Sequence, residues 1–477
     1  MIKKSPLYFL FILLIIIAFS ACKKEKFTAN LSDLSFSIDT LFFDTVFTEI
    51  GTATRNFKVY NRGNKTIEIT SVALENNNSV FRINADGTPG PVNKIIEIGG
   101  GDSIFVFVEA NIDPNGVNSP LIVEDKLVFS TSTESKKLPI VAWGQDAHYI
   151  RPNTIIQGLP PLHILPENTT WTNEKPIVIY GYAVVDSLNS LTIQAGTQIH
   201  FHAGGGLWIY NGGNINANGT LEEPIVFQGD RLESFYDELP GQWDRIIINE
   251  SDKDHVLKNC VIKNAFIGLQ IETLQFPYNL EAPTSSNQIT LENIVLKNHS
   301  LSGILARNYR IKAGNVAIYN CGQQAAAFLG GGEYQLSHFT IANYWAETVR
   351  NQPSLYISNA YQDILGRVQV RNMENSYMEN SIVTGFEDTE IGIEKFEEGN
   401  LNFLLRHNQI DAEEEISKLP TQNIIYDNPV LEGDVSKGFK PTANSPVLGA
   451  GIPSNYPNDI TGKLRPNNPD LGVFEID

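Results

Sequence analysis

ITLENIVLKNHSLSGILA (289–306) and AGNVAIYNCGQQAAAFL (313–329) are two turns of one repeating pattern. Each is a string of short apolar runs broken by single small polar residues, too brief for helices and suited to strands of three to six residues. Earlier and later segments share it: LTIQAGTQIHF (191–201), GLWIYNGGNINANGT (206–220), LKNCVIKNAFIGLQI (257–271), LSHFTIANYW (336–345) and MENSIVTGF (378–386). Aligning the N-x-V-I-x-N pieces puts Asn264, Asn298, Asn320 and Asn343 in one column. The last two steps are 22 and 23 residues, and the first, of 34, carries an insertion around Pro277–Ser286. A period of 20–25 residues with three strands per repeat describes a solenoid whose coils bury their apolar face only against neighbours. The L-x-x-L-x-L pattern of a leucine-rich horseshoe is absent. A parallel β-helix is therefore expected over residues 150–440, with the asparagine column turned inward onto the backbones of successive turns.

The repeats resemble right-handed parallel β-helix proteins of the pectin-lyase-like superfamily, over roughly residues 155–470. NSPVLGAG (444–451), DITGKLRP (459–466) and PDLGVFE (469–475) look like the closing segment of many secreted bacterial β-helix proteins. The resemblance makes residues 441–477 a cap on the end of the solenoid. Asp459, Arg465, Asp470 and Glu475 are then structural charges that tie it down.

Upstream, residues 34–149 read as short alternating strands, among them RNFKVYN (55–61), SIFVFVEANI (103–112) and KKLPIVAWG (136–144), with turn clusters between them. That spacing predicts an antiparallel sandwich, with Phe57, Val59, Ile67, Ile69, Phe105, Phe107, Val128 and Ile140 facing inward. The segment is similar to immunoglobulin-like domains of the ASPM/SPD-2/Hydin type. The fold class is all-β: an N-terminal Ig-like β-sandwich followed by a right-handed parallel β-helix.

The first residues address the chain. Lys3 and Lys4, an apolar run from Leu7 to Phe19, and Ser20-Ala21 before Cys22 form a bacterial export signal over 1–21. The cysteine after two small residues resembles a lipobox, which implies lipidation of Cys22 and a polar tether over 22–33. Four D-S/T-aliphatic triplets, of which Asp186-Ser187-Leu188 is one, resemble the O-glycosylation sites of Bacteroidetes secreted proteins. The resemblances describe a Bacteroidetes-type lipoprotein, lipid-anchored to the outer membrane on its periplasmic or surface face.

A net charge of −19 excludes nucleic acid as a partner. Besides Cys22 only Cys260 and Cys321 are present, both inside apolar strands, so buried free thiols are expected and no zinc site. Polygalacturonase-type motifs are missing except for Arg310-Ile311-Lys312, a solvated strand edge. Glu390 in GFEDTEIG reads as loop charge, and His200 with His202 as a bland surface pair. No catalytic residue, metal ligand or cofactor is assigned. Trp208, Tyr210 and Trp243, with Arg310, are the candidate binding residues, since exposed aromatics on a flat sheet suit sugar stacking. Two functions stay open. One is a non-catalytic surface lipoprotein binding a polysaccharide or a surface protein. The other is a lyase or glycoside hydrolase acting on an acidic polysaccharide. Labelled palmitate should enter the wild-type protein and not Cys22→Ser; equal labelling of both removes the anchor.

Overall fold

The computed structural model describes residues 26–47, 54–112, 121–273, 284–363, 365–414 and 416–476. Cys22 and the export segment lie outside them. The chain divides into two compact units between Asp146 and Ala147.

The first unit is a sandwich. One sheet pairs Leu34–Phe36, Arg55–Asn61, Ser103–Ala110, Phe81–Ala85 and Thr88–Pro89 in that order; the other pairs Leu41–Phe47, Ser135–Gln145, Leu121–Ser130 and Ser71–Leu74. Phe57, Val59, Ile67, Ile69 and Ile140 are buried as expected. Phe105 and Phe107 are not: they are 45% and 39% exposed, while Ile104, Val106 and Val108 fill the core. Val128 is likewise only partly buried, with Leu127 and Phe129 inside. A continuous apolar run such as IFVFV carries no alternation to set its register, and a slip of one residue turns every side chain over. Outside, the two phenylalanines stack at 6.1 Å and Lys58 lies over the Phe105 ring.

The second unit is the β-helix, one ladder of 22 strands, parallel wherever neighbouring coils pair. Each coil contributes to three faces. Sheet 1 includes Ile177–Ile179, Gln198–Phe201 and Ile225–Gly229. Sheet 2 includes Tyr182–Val185, Gly206–Ile209, Trp243–Ile248 and Ala265–Glu272. Sheet 3 includes Ser190–Ile193 and Asn214–Asn218. In later coils a single strand spans several faces, as in Ser302–Cys321 and Ala326–Asn343. Inward positions form one apolar core running from Leu165 to Leu419.

What lets one strand turn from sheet 3 into sheet 1 is a single residue at positive φ. Asn259, Asn293, Asn315, His338, Asn380, His407 and Asn423 all have φ between +48° and +56°, and the strand registers place them in one column. Asparagine is the non-glycine residue that visits this region most readily, because its amide bonds locally. Here the amides bond along the column: Asn293 Nδ2 donates to Asn259 Oδ1 and Asn315 Nδ2 to Asn293 Oδ1, both at 3.0 Å. The two histidines serve the same way. Asn380 Nδ2 donates to His338 Nε2 at 3.2 Å and Asn423 Nδ2 to His407 Nε2 at 2.9 Å. Their Nδ1–H groups then donate to Gly472 O and Ala450 O, so the network assigns the tautomer.

The column of Asn264, Asn298, Asn320 and Asn343 also exists, at the opposite turn from sheet 1 to sheet 2. Only part of it works as expected. Asn343 Oδ1 accepts from Cys321 N at 2.7 Å and its Nδ2 donates to Gln323 O, whereas Asn264 donates to Tyr236 O and Asp237 O. Asn298 donates to Glu238. These two hold an excursion of the chain over 231–242, and Asn298 Oδ1 also accepts from Asn320 Nδ2 of the next coil at 2.6 Å.

Residues 441–477 were expected at the end of the solenoid; instead the described part lies along its flank. Val473 and Phe474 pack on Ala317, Tyr319 and Ala342, and Leu471 and Val447 on Ile382. Arg465 pairs with Glu475 at 3.2 Å, both almost fully buried, and its Nη2 donates to Asn315 Oδ1 of the corner column at 3.0 Å. Asp459 accepts Thr461 N and Glu475 N, and Asp470 accepts Gly449 N and Ile476 N. Outward positions of sheet 1 are apolar in these coils because this segment covers them.

Replacing Asn380 by Leu adds left-handed strain and strands the Ile452 amide and carbonyl that Asn380 satisfies. The variant should lose on the order of 2–4 kcal/mol in denaturant unfolding. Burial pushes four histidines down, His200 and His255 to about 4 and His299 and His338 to about 3. They stay neutral folded and charge when unfolded below about pH 6.5. The unfolded state then binds more protons, so stability falls as pH drops from 6.5, by up to about 1.4 kcal/mol per pH unit for each group. Melting temperature should decline between pH 6.5 and 4.5, and less steeply in His338→Asn, which keeps the corner and removes one titrating ring.

Candidate functional site

Sheet 2 carries an outward polar and aromatic strip. Its central row runs Val184, Trp208, Ile247, Gln270, Leu305, Ala327 and Tyr356, one residue per coil. Parallel pairing in register spaces these positions by about 4.8 Å. Trp208 is half-buried, packs beside Tyr182 and Val184, and donates from Nε1 to Asn249 Oδ1 at 2.8 Å. Tyr210 meets it edge-to-face at 5.4 Å.

Beside the aromatics a hydrogen-bonded chain spans five coils, drawing side chains from four of them. Tyr182 donates its hydroxyl to Asp244, whose other oxygen accepts from Arg245 Nε at 2.8 Å. Arg245 Nη1 donates to Gln270 Oε1 at 2.6 Å, and Gln270 Nε2 to Glu272 Oε1 at 2.7 Å. Arg307 closes the chain on Glu272 Oε2 at 2.9 Å. Burial and the Asp244 carboxylate both push the Tyr182 phenol up, which keeps it a donor. Each guanidinium also lies over a ring: Arg245 over Phe266 at 5.4 Å and Arg307 over Tyr361 at 5.9 Å. Phe266 is 40% exposed. The strip thus offers fixed donors, fixed acceptors and ring faces along several coils, the elements that orient a polyhydroxylated chain.

Two of the four binding residues read from sequence are absent from this strip. Trp243 is core: its ring stacks on Phe201 at 4.1 Å, it is 1% exposed, and Nε1 donates to Lys263 O. It opens a strand of sheet 2 in an inward position, which spacing alone did not separate from an outward one. Arg310 belongs to the segment of sheet 3, where it pairs with Glu333 and donates to Ser286 O. Arg245, Gln270, Glu272 and Arg307 were missed because they lie on successive coils, far apart in sequence.

Other expectations are also corrected. Glu390 is not loop charge but fully buried, held by Arg350 at 2.5 and 2.8 Å and by Ser354. His200 is buried, with Nδ1 on Gly229 O, and only His202 reaches the surface, on Asp230 at 2.6 Å. Cys260 and Cys321 are buried free thiols. Among the described residues no three His, Cys, Asp or Glu side chains converge as metal ligands, and no helix is long and apolar enough to cross a membrane.

Neither a family model nor a curated protein matches the chain. Three solved structures are similar to parts of it. The Vibrio cholerae VesB protease is 14% identical, with a TM-score of 0.18, over 25% of this chain and 33% of its own. PapD-like domain 7 of human CEP192 is 8% identical, with a TM-score of 0.18, over 26% and 94%. A family 123 glycoside hydrolase from Clostridium perfringens is 9% identical, with a TM-score of 0.19, over 32% and 30%. The chain spans about a third of the length of the first, and scores this low carry no argument.

Proposed function

We propose that this chain is a lipoprotein, anchored through Cys22 to the outer membrane, whose β-helix binds a glycan chain along sheet 2 without cutting it. The observation that carries the reading is the chain of hydrogen bonds from Tyr182 to Arg307 beside Trp208, Tyr210 and Phe266. Charge-assisted bonds hold Asp244, Arg245, Glu272 and Arg307 of that strip in one orientation, and little ordering entropy is left for ligand binding to supply there. Asp244 and Glu272 are each engaged by an arginine, an arrangement that favours holding hydroxyls over transferring protons.

Purified residues 23–477 should be retarded in affinity gels containing the cognate polysaccharide from a panel of neutral and acidic glycans. Phe266→Ala and Arg307→Ala should each weaken retardation roughly two- to tenfold, while Phe105→Ala, on the other unit, leaves it unchanged. Reducing ends or unsaturated uronates released by the wild type and lost in Glu272→Gln would make the protein a hydrolase or lyase of that glycan. Absence of retardation on every glycan would leave a surface-protein partner.

A further inference from the structure

Polar side chains on the outer face of sheet 3 satisfy one another over most of its length. Glu374 accepts from Asn400 and Asn402, and Glu379 accepts from Ser337 and Arg406. One stretch departs from this. Between sheet 3 and residues 455–462 of the flanking segment lies a groove of about 390 Å³, lined by Gln288, Thr290, Glu292, Lys312, Asn455 and Tyr456. That volume sits at the lower end of small-ligand sites, roughly 300–1,000 Å³.

The groove is built. Tyr456, one wall of it, is seated on Gly314: a Cβ there would come within 2.2 Å of the ring, so only glycine admits the tyrosine. The Tyr456 hydroxyl is buried and has no hydrogen-bond partner among the described residues. Glu292 is neutralised by Lys258 at 2.8 Å. Lys312, one coil along from Thr290 in the same row, has no partner for its ammonium among the described residues, and the side-chain groups of Gln288, Thr290 and Asn455 are equally open. Asp459 also lines the groove, its carboxylate taken up by the backbone N–H groups of Thr461, Lys463 and Glu475, which leaves the Lys312 ammonium as the unpaired charge beside open amide and hydroxyl groups.

We infer that this groove is a second binding site, separate from sheet 2, for a single small polyhydroxylated anion. A carboxylate or phosphate of the ligand pairs with Lys312, and its hydroxyls meet Thr290, Gln288 and Asn455. A sugar acid and a sugar phosphate share that chemistry, and the experiment separates them.

Titration calorimetry of the full mature chain would use D-glucuronate, D-glucose 6-phosphate, D-glucose and inorganic phosphate. Saturable binding of one of the first two, at least tenfold tighter than glucose or phosphate, is expected, and which one binds identifies the anionic group. Lys312→Met should weaken that binding at least tenfold. Thr290→Val, which keeps the shape of the side chain and removes its hydroxyl, should weaken it less but measurably. Arg307→Ala should leave it unchanged, which separates this site from the sheet 2 reading. Unchanged melting temperature in Lys312→Gln, carrying the same loss of affinity, covers the case in which Lys312→Met folds poorly. No binding of either sugar anion, equal binding of inorganic phosphate alone, or full affinity in Lys312→Met overturns the site.

Discussion

A residue at positive φ that can bond to its counterpart one coil away is the constraint on which the β-helix rests. From Asn259 onward each coil turns from sheet 3 to sheet 1 within one residue, and side chains other than glycine's resist that conformation by roughly 1–2 kcal/mol. Asparagine offsets the strain because its amide supplies both a donor and an acceptor at the bend. Imidazole in its neutral form does the same, which explains how His338 and His407 stand in a column of asparagines. Glycine would relieve the strain but leave no bond between coils.

The column also decides where the last segment of the chain goes. Its outward groups would otherwise face water, and the final residues supply partners for them: Arg465 to Asn315, Gly472 to His338, Ile452 to Asn380, Ala450 to His407. Hydrophobic closure follows from this placement, since Val473 and Leu471 land on the apolar outer positions of sheet 1. A buried ion pair such as Arg465 with Glu475 contributes little net stability, but it sets one register of the segment against the coils.

Much of the architecture was legible before any coordinates. The repeat length, the three short strands per coil and the alternation of the sandwich strands state the fold class directly. The column read from N-x-V-I-x-N was real, yet the more important column one strand away was not seen. Its histidines break the asparagine pattern, and a one-residue corner leaves no turn cluster to mark it. Face assignment failed where both sides of a strand are apolar, as at Phe105, and where a register shift interrupts the alternation, as in the strand that Trp243 opens. The sheet 2 strip was hidden for a different reason: Asp244, Gln270 and Arg307 become neighbours only after the coils stack, and loops of unequal length remove any fixed spacing between them.

The flank-lying segment has a consequence for how the molecule is made. Coils can stack in order as the chain emerges, because each needs only the one before it. The outer faces of Ala317, Tyr319, Ala342 and Ile382 stay bare until Leu471 to Phe474 arrive. Synthesis therefore passes through a stage in which a long solenoid is already wound but carries an uncovered oily stripe, open to self-association. Covering that stripe is a single closing event contributed by Leu471 to Phe474, which are made after the coils they pack on.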